Sequence, residues 1–351
     1  MESTLRHTAH LQHVAENKQA RTELHRIPER LRDALIRHGS QSSAYFTVQA
    51  GLTHHFVNDG CFSYAPVRTP FGTINLSCTN PLVPQQAFEQ TLVQAQQLPG
   101  TPVLLGVTAE VAKAAARLGW TVNHMGMEHA IDLQTFDLAG KEKKQLRHAA
   151  NLSRRLPVTV VEHTHVPHIP DSVDSISEAW RQTKRIQARE LRLLTRPPVF
   201  KAEWGVRKFY CHHADGRLLG FIFFDPWFEN GMISGYCANI LRSDPEWAKH
   251  PVLDYTLLHA IDIFRKEGIR RLSLGIAPLD QLRPCPNQSA MLFRVGQLMH
   301  RYGHRFYAFQ ALAYHKSRYR GNLEPWYVCT PSKNALKVTW GVLKGTGILP
   351  D

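Results

Sequence analysis

Apolar residues recur along this chain with two alternating periods, and the switches between them outline its elements. Glu29 to His38 places Leu31, Leu35 and Ile36 on one helical face, and Gly39 ends the run. Period-two runs follow, so Tyr45–Gln49, Thr53–Val57, Phe62–Val67 and Thr73–Ser77 read as strands, with Asn58-Asp59-Gly60 as a hairpin turn. Pro84 to Gln97 predicts a helix, Val103 to Val107 a buried strand, Ala109 to Leu118 a helix closed by Gly119, and Val122 to Leu133 a strand. A basic helix is expected from Gly140 to Arg155, its Lys and Arg residues surrounding Leu146, Ala150 and Leu152. Beyond it, Lys208–His212, Leu218–Phe224 and Met232–Ile240 read as strands, Pro251 to Lys266 as a helix and Arg271–Gly275 as a short strand. Ser289 to Arg301 predicts one more helix and Phe306–Leu312 a last strand.

Both halves share one order: antiparallel strands, a loop, a helix, then a short strand ending in glycine. No residue-level repeat accompanies it, so the duplication is one of architecture. Mixed strands flanked by helices give an α+β (α/β) fold class. A chain of 351 residues exceeds one ordinary core. The expected division is a polar lead-in over 1–28, a first domain over 29–139, a basic linker helix over 140–156, a second domain over 157–330 and a tail over 331–351.

Composition narrows the function. With 43% hydrophobic and 20% charged residues the chain is globular. Its net charge of +13 favours polyanionic partners: nucleic acid, anionic lipid or phosphorylated substrate. The cysteines at 61, 78, 211, 237, 285 and 329 form no CxxC pair, which argues for reduced thiols over a zinc ribbon or disulfide framework. His54-His55 and His212-His213 lack metal-site spacing, so no metal is expected. The start has no apolar signal core, and the uncharged window from Thr69 to Phe88 is broken by Pro, Asn and Gln. A cytoplasmic location is expected, with no transmembrane helix and any membrane contact peripheral.

The block from Met232 to Leu279 carries the most information. Strand, loop, helix and strand in this order form the core of the acyltransferase fold that binds acetyl-coenzyme A. There a glycine-rich loop holds pyrophosphate at the helix N-terminus. The loop here, Arg242 to His250, has no glycine, which argues against a coenzyme A donor. Asp254 falls on the buried stripe near the helix start. It is either a first-turn carboxylate serving the helix dipole or a pocket acid orienting a substrate.

The chain also resembles the soluble catalytic domain of phosphatidylglycerol lysyltransferases and alanyltransferases, the family of the multiple peptide resistance factor. The resemblance runs from about Ser43 to Val328, through Ser43-Ala44-Tyr45-Phe46, Gly126-Met127-Glu128-His129-Ala130, Phe136-Asp137-Leu138 and Ser177-Glu178-Ala179-Trp180. Leu253-Asp254-Tyr255 and Leu274-Gly275-Ile276-Ala277-Pro278-Leu279 are its sharpest segments. It implies tandem GNAT-like (acetyltransferase-like) domains. It also implies transfer of an amino acid from aminoacyl-tRNA to a hydroxyl or amine acceptor, an anionic phospholipid such as phosphatidylglycerol or a small molecule, without a cofactor. The catalytic residues it suggests are Asp254, Lys316 and Arg242, converging at the mouth of the second domain, with Arg242 meeting phosphate. Lys316, in Tyr314-His315-Lys316, matches a basic position of the family's C-terminal motif. Substrate contacts are expected from Glu178, Trp180 and Tyr314, and polyanion contacts from Lys143, Lys144 and Arg147. Glu178 and Trp180 read equally well as a capping acid and a core aromatic. Two rival readings are an N-acyltransferase using acyl-coenzyme A and a non-catalytic basic module for RNA or anionic lipid.

Overall fold

A computed structural model of the protein describes residues 27–164, 171–183, 190–302 and 308–349. Helix α1 (Glu29–His38) leads to the antiparallel strands β1 (Thr53–Val57), β2 (Gly60–Thr69) and β3 (Gly72–Ser77). The first hairpin turns at Asn58, whose φ of 51° suits an Asn-Asp-Gly turn. Helix α2 (Phe88–Gln97) crosses to β4 (Thr101–Val107), parallel to β3, and α3 (Ala109–Arg117) returns to β5 (Thr121–Asp132). The second half repeats the plan. After α4 (Lys144–Ala150) come β6 (Val158–Glu162), α5 (Asp171–Gln182), and the strands β7 (Arg207–His213), β8 (Leu218–Glu229) and β9 (Met232–Ser243). Helix α6 (Val252–Lys266) then crosses to β10 (Arg271–Pro278), parallel to β9. The described chain ends with α7 (Ala290–Tyr302), α8 (Phe309–Ser317), β11 (Asn322–Thr330) and α9 (Ala335–Gly345).

All eleven strands lie in one sheet, ordered β1-β2-β3-β4-β11-β5-β10-β9-β8-β7-β6. The two halves exchange their last strands. β11 lies between β4 and β5, while β5 pairs along β10. Each exchanged strand covers an edge of the other half, β11 that of β4 and β5 that of β10. β11, the last strand in the chain, thus sits in the sheet between β4 and β5 of the first half. The fold is that of tandem acetyltransferase-like units.

Three expectations are corrected. Tyr45–Gln49 is not a strand: Ala44–Val48 is a buried single 3₁₀ turn, pinned by Thr47 and Gln49 side chains bonded to the Ala44 and Phe46 carbonyls. Of the strand expected over Phe306–Leu312, the described part belongs to α8, whose apolar and polar residues are not segregated by side, so no helical period shows in the sequence. The tail contains α9, which lies flush on the sheet because Gly341 and Gly345 face Ile74 and Leu76 with no room for a Cβ. The basic helix is also shorter than expected, α4 being followed by a separate turn at Leu152–Arg154. The polar lead-in over 1–26 falls outside the described residues.

Burial on both faces makes β8 a nearly continuous apolar run. Phe209, Ile222 and Phe224 pack beneath α6, and Tyr210, Phe221 and Phe223 beneath α5 on the opposite face.

Candidate active site

In each half the two parallel strands pair only at one end. The ladder between β9 and β10 stops at Cys237 and Ser273, and that between β3 and β4 at Ser77 and Leu104. Past these points β9 continues with β8, β10 with β5 and β4 with β11, while β3 ends, which opens a split in the sheet. Just beyond each split stands a glycine in the left-handed region, Gly275 at φ 73° and Gly106 at φ 74°.

The two splits hold different chemistry. In the first, the Gln41 amide donates to the Gly106 carbonyl (2.7 Å), Thr79 donates to the Gln41 oxygen (2.8 Å), and the Trp326 ring lies against Gly106. Uncharged side chains fill it. In the second, Lys316 reaches in from α8, and its Nζ donates to the Ile276 carbonyl (2.6 Å). A Cβ on Gly275 would lie 3.4 Å from that Nζ. Burial pulls the Lys316 ammonium down to about 8, against the opposing pull of Cys237 and Glu128.

Glu128 on β5 is itself fully enclosed. Its carboxylate accepts from Ser42, from Ser273 and from Trp326 Nε1 (3.1 Å), and burial raises its pKa. Burial likewise pushes the Cys237 thiol up, so it is held protonated and is a poor nucleophile.

His129 comes next along β5. Its neighbours Glu128 and Ala130 pair with Ile276 and Ser273, so His129 stands opposite the Leu274–Gly275 bulge that faces Lys316. Its Nε2 is buried, lacks a hydrogen-bond partner and lies 4.0 Å from Asp280 Oδ2. Burial lowers the imidazole pKa, Lys316 lowers it further and Asp280 opposes both. Asp280 is held between Leu279 (φ 63°) and Gln281 (φ 49°), left-handed conformations that carry strain in non-glycine residues. Sequence alone assigns neither residue a role: His129 lies within the Gly126–Ala130 segment, and no pattern in the chain connects it to Asp280, 151 residues later.

Asp254 lies in the first turn of α6 and is bound by the far end of α8. Arg318 donates to both its oxygens (3.0 and 2.9 Å), and Tyr319 donates to Oδ1 (2.7 Å). Gln145 of α4 extends the cluster, accepting from Arg318 (3.3 Å) and donating to the exposed Tyr314 hydroxyl (3.2 Å). Asp254 and Tyr314 are thus linked through Arg318 and Gln145 at the end of the helix that carries Lys316.

Arg242 is not among them. Its cross-strand neighbour Phe221 belongs to the α5 face, where the guanidinium bonds Ser177 and Glu190 and lies 5.0 Å over the Trp180 ring. The expected convergence of Arg242 with Asp254 and Lys316 is therefore corrected: Arg242 and the helix carrying Asp254 pack on opposite faces. Glu178 is exposed on α5, with Gln182 donating to it (3.5 Å). Lys143 and Arg147 turn inward onto the preceding loop, bonding Asp137 (2.9 Å to its carbonyl) and the Leu138 and Gly140 carbonyls (2.6 Å each). Lys144 stays exposed. Between β9 and α6 the glycine-free loop is braced by Asp244, which accepts from the Glu246 amide (2.9 Å). Among the described residues no group of three or more His, Cys, Asp or Glu is placed to hold a metal ion.

The fold has known counterparts. Residues 32–330 match the family described as phosphatidylglycerol lysyltransferase, C-terminal. The chain belongs to this family. Among curated phosphatidylglycerol lysyltransferases, that of Staphylococcus aureus strain MSSA476 is 22% identical over 295 residues, 82% of this chain and 34% of that protein. The lysylphosphatidylglycerol biosynthesis bifunctional protein LysX of Nocardia farcinica is 27% identical over 194 residues, 54% of this chain and 17% of that protein. The chain thus spans about a third or less of these relatives. L-PGS from Bacillus licheniformis superposes with a TM-score of 0.71 at 18% identity, covering 92% of this chain and 97% of that one. A DUF2156 C-terminal domain from Agrobacterium fabrum gives 0.69 at 18% identity, covering 90% and 95%. These structures share the fold of the phosphatidylglycerol lysyltransferase C-terminal family. Among the described residues no helix is long and apolar enough to cross a membrane.

Proposed function

We propose that this chain is an aminoacyltransferase that moves an amino acid from the ester of an aminoacyl-tRNA to a hydroxyl of an anionic phospholipid headgroup, phosphatidylglycerol being the acceptor its family name suggests. The observation that carries the reading is the second split, where a buried lysine stands near enough to act on a buried histidine whose Nε2 has no hydrogen-bond partner, while the first split is filled by uncharged side chains. The acceptor oxygen attacks the ester carbonyl, its proton passes to a base, and the tRNA hydroxyl leaves with a proton returned to it. Ester is exchanged for ester, so the step is nearly balanced in energy and is accelerated by positioning, charge and proton transfer.

In this proposal Lys316 faces the phosphate or the developing oxyanion with its positive charge. His129 is the proton acceptor, neutral because it is buried, with Asp280 stabilising the imidazolium once formed. Asp254 is a positioning residue, holding the helix end that presents Lys316. Lys144, exposed beside the Gln145 bridge to Tyr314 and Arg318, offers charge to the tRNA backbone. The carboxylate in the glycine-free loop disfavours a pyrophosphate there, which supports an aminoacyl-tRNA donor over coenzyme A.

The test is incubation of the pure protein with a panel of labelled aminoacyl-tRNAs and phosphatidylglycerol vesicles, followed by identification of the labelled lipid. A labelled aminoacyl-lipid is expected. Transfer from an acyl-coenzyme A, with none from any aminoacyl-tRNA, overturns the reading.

A further inference from the structure

Helices α7 and α9 lie side by side at the surface. Their inner sides share one apolar cluster, Leu292 from α7 and Val338 and Val342 from α9 meeting Ile276 and Trp326 of the sheet. Their outer sides are covered by nothing in the chain's described residues. Met291, Leu298 and Tyr302 stand 45–60% open along α7 (49%, 57% and 55%), and Leu336 and Trp340 do so on α9 (54% and 45%). The spacing is helical: 291, 298 and 302 share a face of α7, and 336 and 340 are one turn apart. Half of the large exposed hydrophobics named for the whole described surface fall on these two helices, and a grouped apolar patch marks an interaction surface where scattered residues do not.

Charge identifies the partner. Neither helix contains an Asp or Glu, in a chain that has 29 of them. Arg294 and Arg301 are exposed one heptad apart on α7, interleaved with Met291 and Leu298, and Lys344 lies one turn beyond Trp340 on α9. Apolar side chains among cations, with no acid, match a bilayer whose headgroups are anionic and whose acyl boundary accepts leucine, methionine and tryptophan. A second copy docking face to face would set arginine against arginine. Nucleic acid would leave the apolar residues without a complement.

We infer that the α7–α9 face is the surface by which this protein docks on an anionic lipid bilayer. The inference deepens the proposed transfer to a phospholipid, because it rests on that reading for its biological purpose and adds the place of contact. The docked face also adjoins the site. Gly296 of α7 packs against Leu279 and Leu282 of the strained loop, the loop that carries Asp280. A headgroup at this face is thus one loop away from the second split.

The experiment is co-sedimentation with vesicles of phosphatidylglycerol and phosphatidylcholine, against vesicles of phosphatidylcholine alone. The wild-type chain should partition at least ten-fold more strongly onto the anionic vesicles. The double variant Leu298→Glu with Trp340→Glu should lose at least ten-fold of that partition. Arg294→Glu with Arg301→Glu should lose the preference for anionic lipid. Both pairs are exposed, so unchanged melting curves are expected, and Leu298→Ser with Trp340→Ser serves if the acidic pair unfolds. Variants that bind vesicles as the wild type does overturn the inference. So does a wild-type dimer in sedimentation velocity that the acidic pair dissolves, or a loss of tRNA affinity in that pair with vesicle binding unchanged. A short-chain phosphatidylglycerol dissolved as monomers separates docking from chemistry: the docking variants should still aminoacylate it at the wild-type rate. If the wild type modifies neither form of lipid but binds vesicles, the transfer reading fails and the docking face stands.

Discussion

The Asp254 carboxylate and the Arg318 guanidinium meet in a two-point ion pair, 3.0 Å from Nη2 to Oδ1 and 2.9 Å from Nη1 to Oδ2. The pair ties the first turn of α6 to the turn after α8, two residues beyond Lys316. Asp254 has a second donor in Tyr319, whose ring is fully buried and stacks on Phe136 (6.5 Å between centroids). A carboxylate engaged in this way is poorly placed to take a proton, and its leverage is on where Lys316 sits.

Asp254→Asn should therefore act on both stability and turnover. It leaves Arg318 charged and nearly buried with half its partner, at a cost of about 3 kcal/mol. Displacement of the helix end should lower kcat on the order of 10²-fold with little change in KM for lipid. Thermal melts beside steady-state kinetics check both. Full turnover with only a stability loss would return Asp254 to a purely structural role.

The Lys316 ammonium, held near 8, predicts an alkaline limb in the transfer rate. The rate should fall as pH rises through about 8, because the neutral amine no longer meets negative charge. Lys316→Arg should keep its charge and move that limb beyond the accessible range, even if the absolute rate drops. The same group has a signature in stability. Between about 8 and the ordinary lysine value of 10.5 the unfolded chain keeps a proton that the folded chain has released, so this contribution to stability rises with pH there. Initial rates corrected for spontaneous loss of donor, and melts from pH 7 to 10 on wild type and Lys316→Met, measure the two effects.

Gly275 and Gly106 form a matched pair for substitution. Each sits near φ 73–74°, so alanine costs about 1–2 kcal/mol of backbone strain at either. At Gly275 the new methyl comes into contact with Lys316 Nζ (3.4 Å), and at Gly106 it crowds the Trp326 ring (3.1 Å). Gly275→Ala should abolish most transfer. Gly106→Ala should lower the melting temperature by a similar amount or more while leaving transfer largely intact. Equal losses of activity would mean that the first split also takes part in the chemistry.

His129→Gln keeps polarity and approximate size but cannot shuttle a proton. Turnover should fall by roughly 10²–10⁴-fold, with unchanged vesicle and tRNA binding. The charged neighbours facing His129 are Lys316 and Asp280, one disfavouring the imidazolium and one favouring it. Burial keeps the imidazole below its usual value, so the wild-type acid limb should lie under pH 6.5 and vanish in the variant. Asp280→Asn should shift that limb further down. A His129→Gln enzyme within two-fold of wild type would remove His129 from the mechanism.

The sequence by itself determined what depends on neighbours along the chain. The hairpin at Asn58-Asp59-Gly60 and the helix covering Val252–Lys266 were legible because turn residues and apolar periods act over a few residues. The repeated helix-to-strand unit was legible for the same reason, although neither strand ends at its glycine, β4 running on to Val107 and β10 to Pro278. Tertiary structure decided the rest. Glu128 meets Ser42, Ser273 and Trp326 across 86, 145 and 198 residues, and no local pattern records such contacts. Asp254 is tied to the helix that carries Lys316 because the turn after α8 places Arg318 against α6. Arg242 was lost to the site by the parity of a β-strand around a bulge, which sends a side chain to one face or the other. The exchange of β5 and β11 set which strands border each split, and an edge is satisfied by whichever backbone reaches it, not by its sequence.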